Sequence, residues 1–309
     1  MIVTELSAVD TRAQYMRRRF DAGAVRATSG SVRAVGEPSQ LRAVDSDRDR
    51  AAELLDVATE AALTGGALLR ARFEAGREAR VSSKTTPTDP VSEADLESQR
   101  EIRALLSRRR PHDGFLAEEE GADQRGSTGL RWVVDPLDGT VNFLYGIPQW
   151  SVSVAVCDAQ RTLAGAIHAP ISGETFTAVR GELPKRNGIE LRWRGDVTTA
   201  ISQALVATGF AYEASVRAEQ AELLTRLLPL VRDIRRFGSA AMDLAWTAMG
   251  RHDAYFERGV KLWDIAAGAL VCECVGLDAR EIDGGILVAP PALLESLAEI
   301  VAYPGGAST

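Results

Sequence analysis

Cysteine and histidine are scarce in this chain, three of each among 309 residues. Cys157, Cys272 and Cys274 are too few and too poorly spaced for a zinc site. Cys272 and Cys274 fall inside an apolar helical run, so packed thiols in a reducing cytoplasm are expected. His112, His168 and His252 have no metal-like spacing, and phosphohistidine chemistry is not expected of them. No apolar run approaches the roughly 20 residues that cross a bilayer. Arg17-Arg18-Arg19 leads into Phe-Asp-Ala-Gly rather than an apolar stretch, which argues against a signal peptide. Basic excess is missing too: 36 Lys and Arg stand against 43 Asp and Glu, a net charge of −7. That balance argues against a nucleic-acid-binding surface. No internal repeat or low-complexity tract is evident.

What is present suits a globular enzyme. Hydrophobic residues make up 45% of the chain, and at about 150 residues per domain its length allows two compact units. Residues 1–48 are Arg-, Ser- and Gly-containing with weak periodicity, and are expected to be a disordered N-terminal extension. From residue 51 to 72 apolar residues recur at helical spacing, and Ser92 should cap a second helix that ends before Pro111. Strand-like runs follow at 131–135, 151–157, 163–168 and 174–179, so residues 49–190 read as an antiparallel sheet under two helices. Residues 191–303 alternate strands near 204–208, 234–237 and 253–257 with helices near 215–232, 239–250, 264–275 and 291–302. This half reads as a sheet flanked by helices.

The chemistry concentrates between Trp132 and Phe143, WVVDPLDGTVNF. Asp135 and Asp138 stand three residues apart where an apolar strand ends, and Pro136 is expected to force a turn immediately after Asp135. Two acids so close are stable together mainly with a cation between them, and their oxygens suit Mg²⁺. The Gly139-Thr140 backbone can offer N–H donors to a phosphate. An ordinary Asp/Pro/Gly turn would read the same way. Two further acidic groups weigh against that: Glu118-Glu119-Glu120 after the apolar Gly114-Phe115-Leu116-Ala117, and Asp264 at the head of IAAGALVCECVG.

These motifs resemble the inositol monophosphatase family of Mg²⁺-dependent, lithium-sensitive phosphatases. Asp135 to Phe143 matches the family's D-P-I/L-D-G-T-x-N-F, and Trp263 to Gly268 matches W-D-x-A-A-G. Lys84, Asp89, Val91 and Asp95 match K-x-x-x-x-D-x-V-T-x-x-D, with Ser92 in place of threonine. RRFGSAAMDL (Arg235 to Leu244) and DAYFERGVKLWD (Asp253 to Asp264) complete the set. The similarity runs from about Leu54 to about Leu297, and GIPQWSVSVAV and LVATGFAY point to the actinobacterial inositol-1-phosphatase branch.

The resemblance implies a layered α-β-α-β-α sandwich of the inositol monophosphatase/fructose-1,6-bisphosphatase type, in an α/β (α+β) chain that forms a homodimer. It implies one Mg²⁺ on Glu118, Asp135 and the Leu137 carbonyl, and a second on Asp135, Asp138 and Asp264. Asp95 would place a third, weaker ion, and Lys84 and Asp95 are secondary candidates for the site. Glu118 and Thr140 would orient the attacking water. Asp138, Gly139 and Thr140 would meet phosphate or substrate, while Gly238, Ser239, Ala240 and Glu257 would hold inositol hydroxyls. The substrate expected is a small phosphorylated polyol, myo-inositol 1-phosphate first. Histidinol phosphate, fructose 1,6-bisphosphate and adenosine 3′,5′-bisphosphate are the alternatives on the same machinery. A role as partner of the transcription machinery is the alternative of another class. Two departures stand out: Ala117 replaces a common glycine, and the segment near 276–285 is shorter than usual.

Overall fold

The computed structural model describes residues 38–76, 81–83, 90–119, 123–193 and 200–302, with the side chains of 38–48, 81–83 and 90–92 left aside. Lys84, Asp89 and Glu120 lie outside these residues, as does the expected extension as far as residue 37.

The first helix, α1 (Pro38–Ala75), starts well before the expected residue 51 and takes in the end of the expected extension. Its apolar stripe begins only at Leu54, and Leu54, Val57, Ala58, Ala61, Ala62 and Leu69 are all buried. Upstream of Leu54 there is no stripe for periodicity to detect. Once a helix is nucleated on its packed part, residues with good propensity extend it without one. A short antiparallel pair, β1 (Val81–Ser83) and β2 (Pro90–Ser92), leads into α2 (Glu93–Arg109), which ends just before Pro111 as expected.

The first sheet is built from β3 (Gly114–Ala117), β4 (Asp123–Gln124), β5 (Arg131–Asp138), β6 (Ser151–Cys157), β7 (Thr162–Ala169), β8 (Glu174–Val179), β9 (Lys185–Arg186) and β10 (Ile189–Glu190). Their order is β10-β9-β8-β7-β6-β5-β3-β4, antiparallel apart from the parallel pair β3–β5. A one-turn helix, α3 (Thr140–Leu144), follows β5. The second sheet comprises β11 (Leu205–Thr208), β12 (Asp233–Arg235), β13 (Ala254–Arg258), β14 (Asp278–Ile282) and β15 (Gly285–Ala289), in the order β12-β11-β13-β15-β14. Between these strands run α4 (Ala214–Leu227), α5 (Ala240–Ala248) and α6 (Leu262–Cys274), and α7 (Pro291–Val301) closes the fold. The short segment near 276–285 is a hairpin: β14 turns into β15 at Asp283-Gly284, with Gly284 at φ +67.

Three apolar cores separate the layers. α1 and α2 cover one face of the first sheet through Leu54, Leu69, Ile102, Leu105, Trp132, Val134 and Val154. Its other face packs Val133, Ala155, Ile167 and Phe176 against Leu244 of α5 and Ile265 and Leu270 of α6, which also meet Tyr255, Ile286 and Val288 of the second sheet. The far face of that sheet is covered by Leu223 and Leu227 of α4 and Leu293 and Leu297 of α7. The chain therefore stacks as α-β-α-β-α, the layering expected. Among the described residues no helix is long and apolar enough to cross a membrane.

Candidate active site

Because β3 and β5 run parallel, with Ala117 opposite Val134, the residues that follow them emerge side by side. This puts Glu118 beside the Asp135–Asp138 segment. Pro136 does not end the strand, as had been expected. β5 continues to Asp138, and its pairing with β6 is irregular between Asp135 (opposite Ser153) and Asp138 (opposite Ser151). Proline has no N–H for the ladder, so a strand accommodates it at a bulge. The segment folds on itself there: the Leu137 amide donates to Asp135 Oδ1 at 3.0 Å.

The helix α2 holds this bulge from outside. Ser98 Oγ donates to the Pro136 carbonyl at 2.9 Å, and Gln99 Oε1 accepts from the Glu119 amide at 3.0 Å. The buried Thr140 hydroxyl lies 3.0 Å from Asp95 Oδ1 and 3.1 Å from the Leu137 carbonyl. Between β5 and α3, Gly139 has φ +97, and a Cβ there would meet the Gln149 and Gly238 carbonyls at 3.1 Å. Only glycine lets the segment pass so close to the 238 turn.

Asp138 is the joint between the halves. Its Oδ1 accepts from the Ala240 amide at 3.0 Å and its Oδ2 from the Ala241 amide at 2.9 Å, with the Ser239 hydroxyl also donating to Oδ2. Ser239 does occupy the N-cap position of α5, yet the capping oxygens come from Asp138. The Ala240 amide expected to meet substrate is therefore engaged by Asp138. Asn142 Nδ2 ties the same regions, donating at 2.7 Å to both the Gln149 and Phe237 carbonyls.

Asp264 enters from α6, which begins at Leu262 instead of at Asp264 itself. The aspartate reaches back to accept from the Lys261 amide. Burial is the main cause that pushes Asp138 up to about 6 and Asp264 well above the usual carboxylate range. The charge on Glu118 raises both further, and Asp138 and Glu257 add to the effect on Asp264. Asp135, Asp138 and Asp95 are all buried.

Could these residues hold a divalent ion? Among the described residues, no three His, Cys, Asp or Glu side chains converge tightly enough to grip a metal as they stand. Asp135, Asp138 and Asp264 are each turned onto a backbone amide of their own chain. The chemistry of the donor set nevertheless fits: all-oxygen, several acids repelling one another in poor solvent contact, and a carbonyl at Leu137. Such a set suits a hard cation.

The expected hydroxyl-binding side is built on β13. Glu257 is partly buried, accepts from the Tyr255 hydroxyl at 2.7 Å, and lies so close to Gly209 that a Cβ there would collide with its carboxylate. Burial pushes it up to about 7, while the Tyr255 hydrogen bond and Arg236 pull the other way. Asp243 is sealed in behind, 1% exposed, and is pushed well up by burial and by Glu257 and Asp138. Asn142, Tyr255 and Asp243 had no role assigned from sequence, although each lies within a quoted motif. A cavity of about 590 Å³ beside α3, lined by Phe73, Gly76 and residues 143–146, contains none of these acids.

His252 Nδ1 pairs with Thr247 at 3.0 Å and His168 Nδ1 with Thr175 at 2.9 Å, and among the described residues the three cysteines form no disulfide, with Cys157 and Cys272 buried.

Comparison with known proteins adds to this geometry. Residues 50–305 match the model of the inositol monophosphatase family. An inositol-1-monophosphatase of Mycobacterium leprae is 39% identical over 281 residues, 86% of this chain and 91% of that one. The Nus factor SuhB of Haemophilus influenzae is 36% identical over 253 residues, 79% of this chain and 94% of that one. The crystal structure of the extragenic suppressor protein suhB from Bartonella henselae superposes with a TM-score of 0.74 at 32% identity, covering 82% of this chain and 99% of that one.

Proposed function

Because this chain belongs to the inositol monophosphatase family, we propose that it is a Mg²⁺-dependent, lithium-sensitive phosphomonoesterase of the cytoplasm whose first substrate is myo-inositol 1-phosphate. The observation that carries this reading is that Glu118, Asp138 and Asp264, from three separate elements, lie close enough for the charge on Glu118 to raise both aspartates, with Asp135 on the same strand as Asp138. Nothing in ordinary folding gathers buried acids against their mutual repulsion; a bound cation offsets that cost. Glu118, Asp135 and the Leu137 carbonyl would hold one ion, and Asp135, Asp138 and Asp264 a second. Asp95 would serve a third. Bound there, Mg²⁺ would acidify a water and stabilise the departing ester oxygen.

The protein's own groups do the rest. Thr140, held between Asp95 and the Leu137 carbonyl, would orient the attacking water together with Glu118. Gly139 and Thr140 would offer amides to the phosphate. On the leaving-group side Glu257 accepts polyol hydroxyls, with Gly238, Ser239 and Ala240 lining the turn.

A phosphate-release screen tests the reading. Inositol 1-phosphate, histidinol phosphate, fructose 1,6-bisphosphate and adenosine 3′,5′-bisphosphate would each be offered with Mg²⁺, with and without Li⁺. The expected result is highest kcat/KM on inositol 1-phosphate, uncompetitive-type inhibition by Li⁺ and a bell-shaped Mg²⁺ dependence. Higher kcat/KM on any of the others would reassign the substrate.

The Nus factor name of the Haemophilus relative favours a second reading, a partner of the transcription machinery. A pull-down in which Asp135→Asn retains the same partners as the unaltered protein would support that role.

A further inference from the structure

Two acids stand behind the leaving-group side of the cleft, and they are presented differently. Both oxygens of Asp243 are buried and accept no hydrogen bond among the described residues, so nothing from solvent reaches them. Glu257 is partly exposed, with Oε2 taken by the Tyr255 hydroxyl at 2.7 Å. Among the described residues its Oε1 accepts no hydrogen bond, and it is not among the oxygens sealed from solvent. The carboxylate is thus held by one oxygen and offers the other.

Tyr255 is suited to that hold. It lies two residues before Glu257 on β13, so both side chains leave the same face of the strand. Its ring is completely buried between the layers, in the core that contains Leu244 and Ile265. β13 is itself clamped between β11 and β15. The phenol therefore has one position, and its proton one acceptor. On the other side the Gly209 backbone walls the carboxylate. Arg236, whose guanidinium stacks over Phe210 at 5.9 Å, supplies positive charge at the rim.

We propose that Tyr255 is a positioning residue for Glu257: by donating its hydroxyl proton to Oε2 it aims Oε1 at the substrate's hydroxyls, and so helps decide which phosphate esters are accepted. This inference rests on the proposed function, since it presumes that Glu257 meets a polyol. Removing the hydroxyl leaves Glu257 free to rotate and deprives it of its donor. Binding of hydroxylated esters then suffers while the phosphate chemistry, on the far side of Asp138, does not.

The test is Tyr255→Phe, assayed on myo-inositol 1-phosphate and on p-nitrophenyl phosphate, which carries no hydroxyl to place. The expected result is a KM for inositol 1-phosphate raised about tenfold, kcat within about twofold, and a much smaller KM shift on the aryl ester. A double-mutant cycle separates positioning from general packing: in a Glu257→Ala background, Tyr255→Phe should add almost nothing. Equal KM shifts on both esters, a fall in kcat alone, or a full effect in the Glu257→Ala background would each overturn the proposal. If Glu257→Ala leaves the KM for inositol 1-phosphate unchanged, the polyol reading itself fails, and the two failures are told apart.

Discussion

The Asp138 carboxylate accepts a 2.9 Å hydrogen bond from the Ala241 amide, 103 residues further along the chain. A strand end in the first sheet thereby caps the helix that packs against it. The first amides of a helix have no partner within it and carry partial positive charge, so an acid is well placed there. The same acid is a candidate metal ligand, which couples the architecture of the site to the joint between the halves.

Asp138→Ala should therefore destabilise the protein even in the absence of metal. The change orphans the amides of Ala240 and Ala241 and the hydroxyl of Ser239. The expected loss is about 2–4 kcal/mol, measured by urea unfolding in chelator. A loss under about 0.5 kcal/mol would mean that water replaces the carboxylate and that the joint lies elsewhere.

Asp135→Asn separates chemistry from folding. The contact of Asp135 Oδ1 with the Leu137 amide at 3.0 Å is one that an asparagine oxygen can keep. The melting temperature should hardly move, while kcat falls by at least about a hundredfold through loss of the shared charge. Retention of more than about a tenth of the rate at saturating Mg²⁺ would remove Asp135 from the site.

Glu257 gives a pH signature. Loss of solvent around its carboxyl pushes it up to about 7 from 4.5. Below about pH 4.5 the carboxyl is protonated both folded and unfolded, and it has no effect on the balance. Between about 4.5 and 7 the folded chain keeps a proton that the unfolded chain has released, so the contribution to stability falls as pH rises. Above about 7 the penalty is constant. His252, pulled down to about 4 by burial, acts in the opposite sense but is common to wild type and variant. In metal-free buffer the melting temperature of Glu257→Gln minus that of wild type should rise through this window and then level off. A difference independent of pH would show that Glu257 is not held in its protonated form.

The start of the chain is open to truncation. Among the described side chains of α1, the first buried one is Leu54. A protein beginning at Asp49 should keep its melting temperature and specific activity, since Leu54 and the buried residues after it are all retained. A drop in either would give the upstream residues a partner on the body or on another subunit.

Much of the site could be read in the chain itself because it is local. Asp135, Leu137, Asp138, Gly139 and Thr140 lie in one continuous segment, and the alternation of apolar and polar residues located most of the strands and helices around it. The five-layer order followed from the family resemblance and was met by the structure. Pro136 was misjudged because a proline signals a break in pairing without saying whether the strand turns or bulges. Only the neighbouring β6, with Ser153 and Ser151 as its pairing partners, settles that it bulges. Helix α1 was underestimated because its sequence before Leu54 carries no regular apolar stripe to reveal it.

Tertiary structure alone decided who partners whom. Composition and spacing pointed to an antiparallel sheet under two helices, a second sheet flanked by helices, and acids at strand ends; the parallel pairs β3–β5, β11–β12 and β11–β13 came only with the structure. Composition and spacing could not determine that Asp138 caps α5, that Tyr255 holds Glu257, or that Asp243 is sealed behind it. Asp138 and α5 come from separate elements, as do Asp243 and Glu257, and even the Tyr255–Glu257 pair within β13 depends on burial and hydrogen-bond geometry, which exist only once the layers have packed.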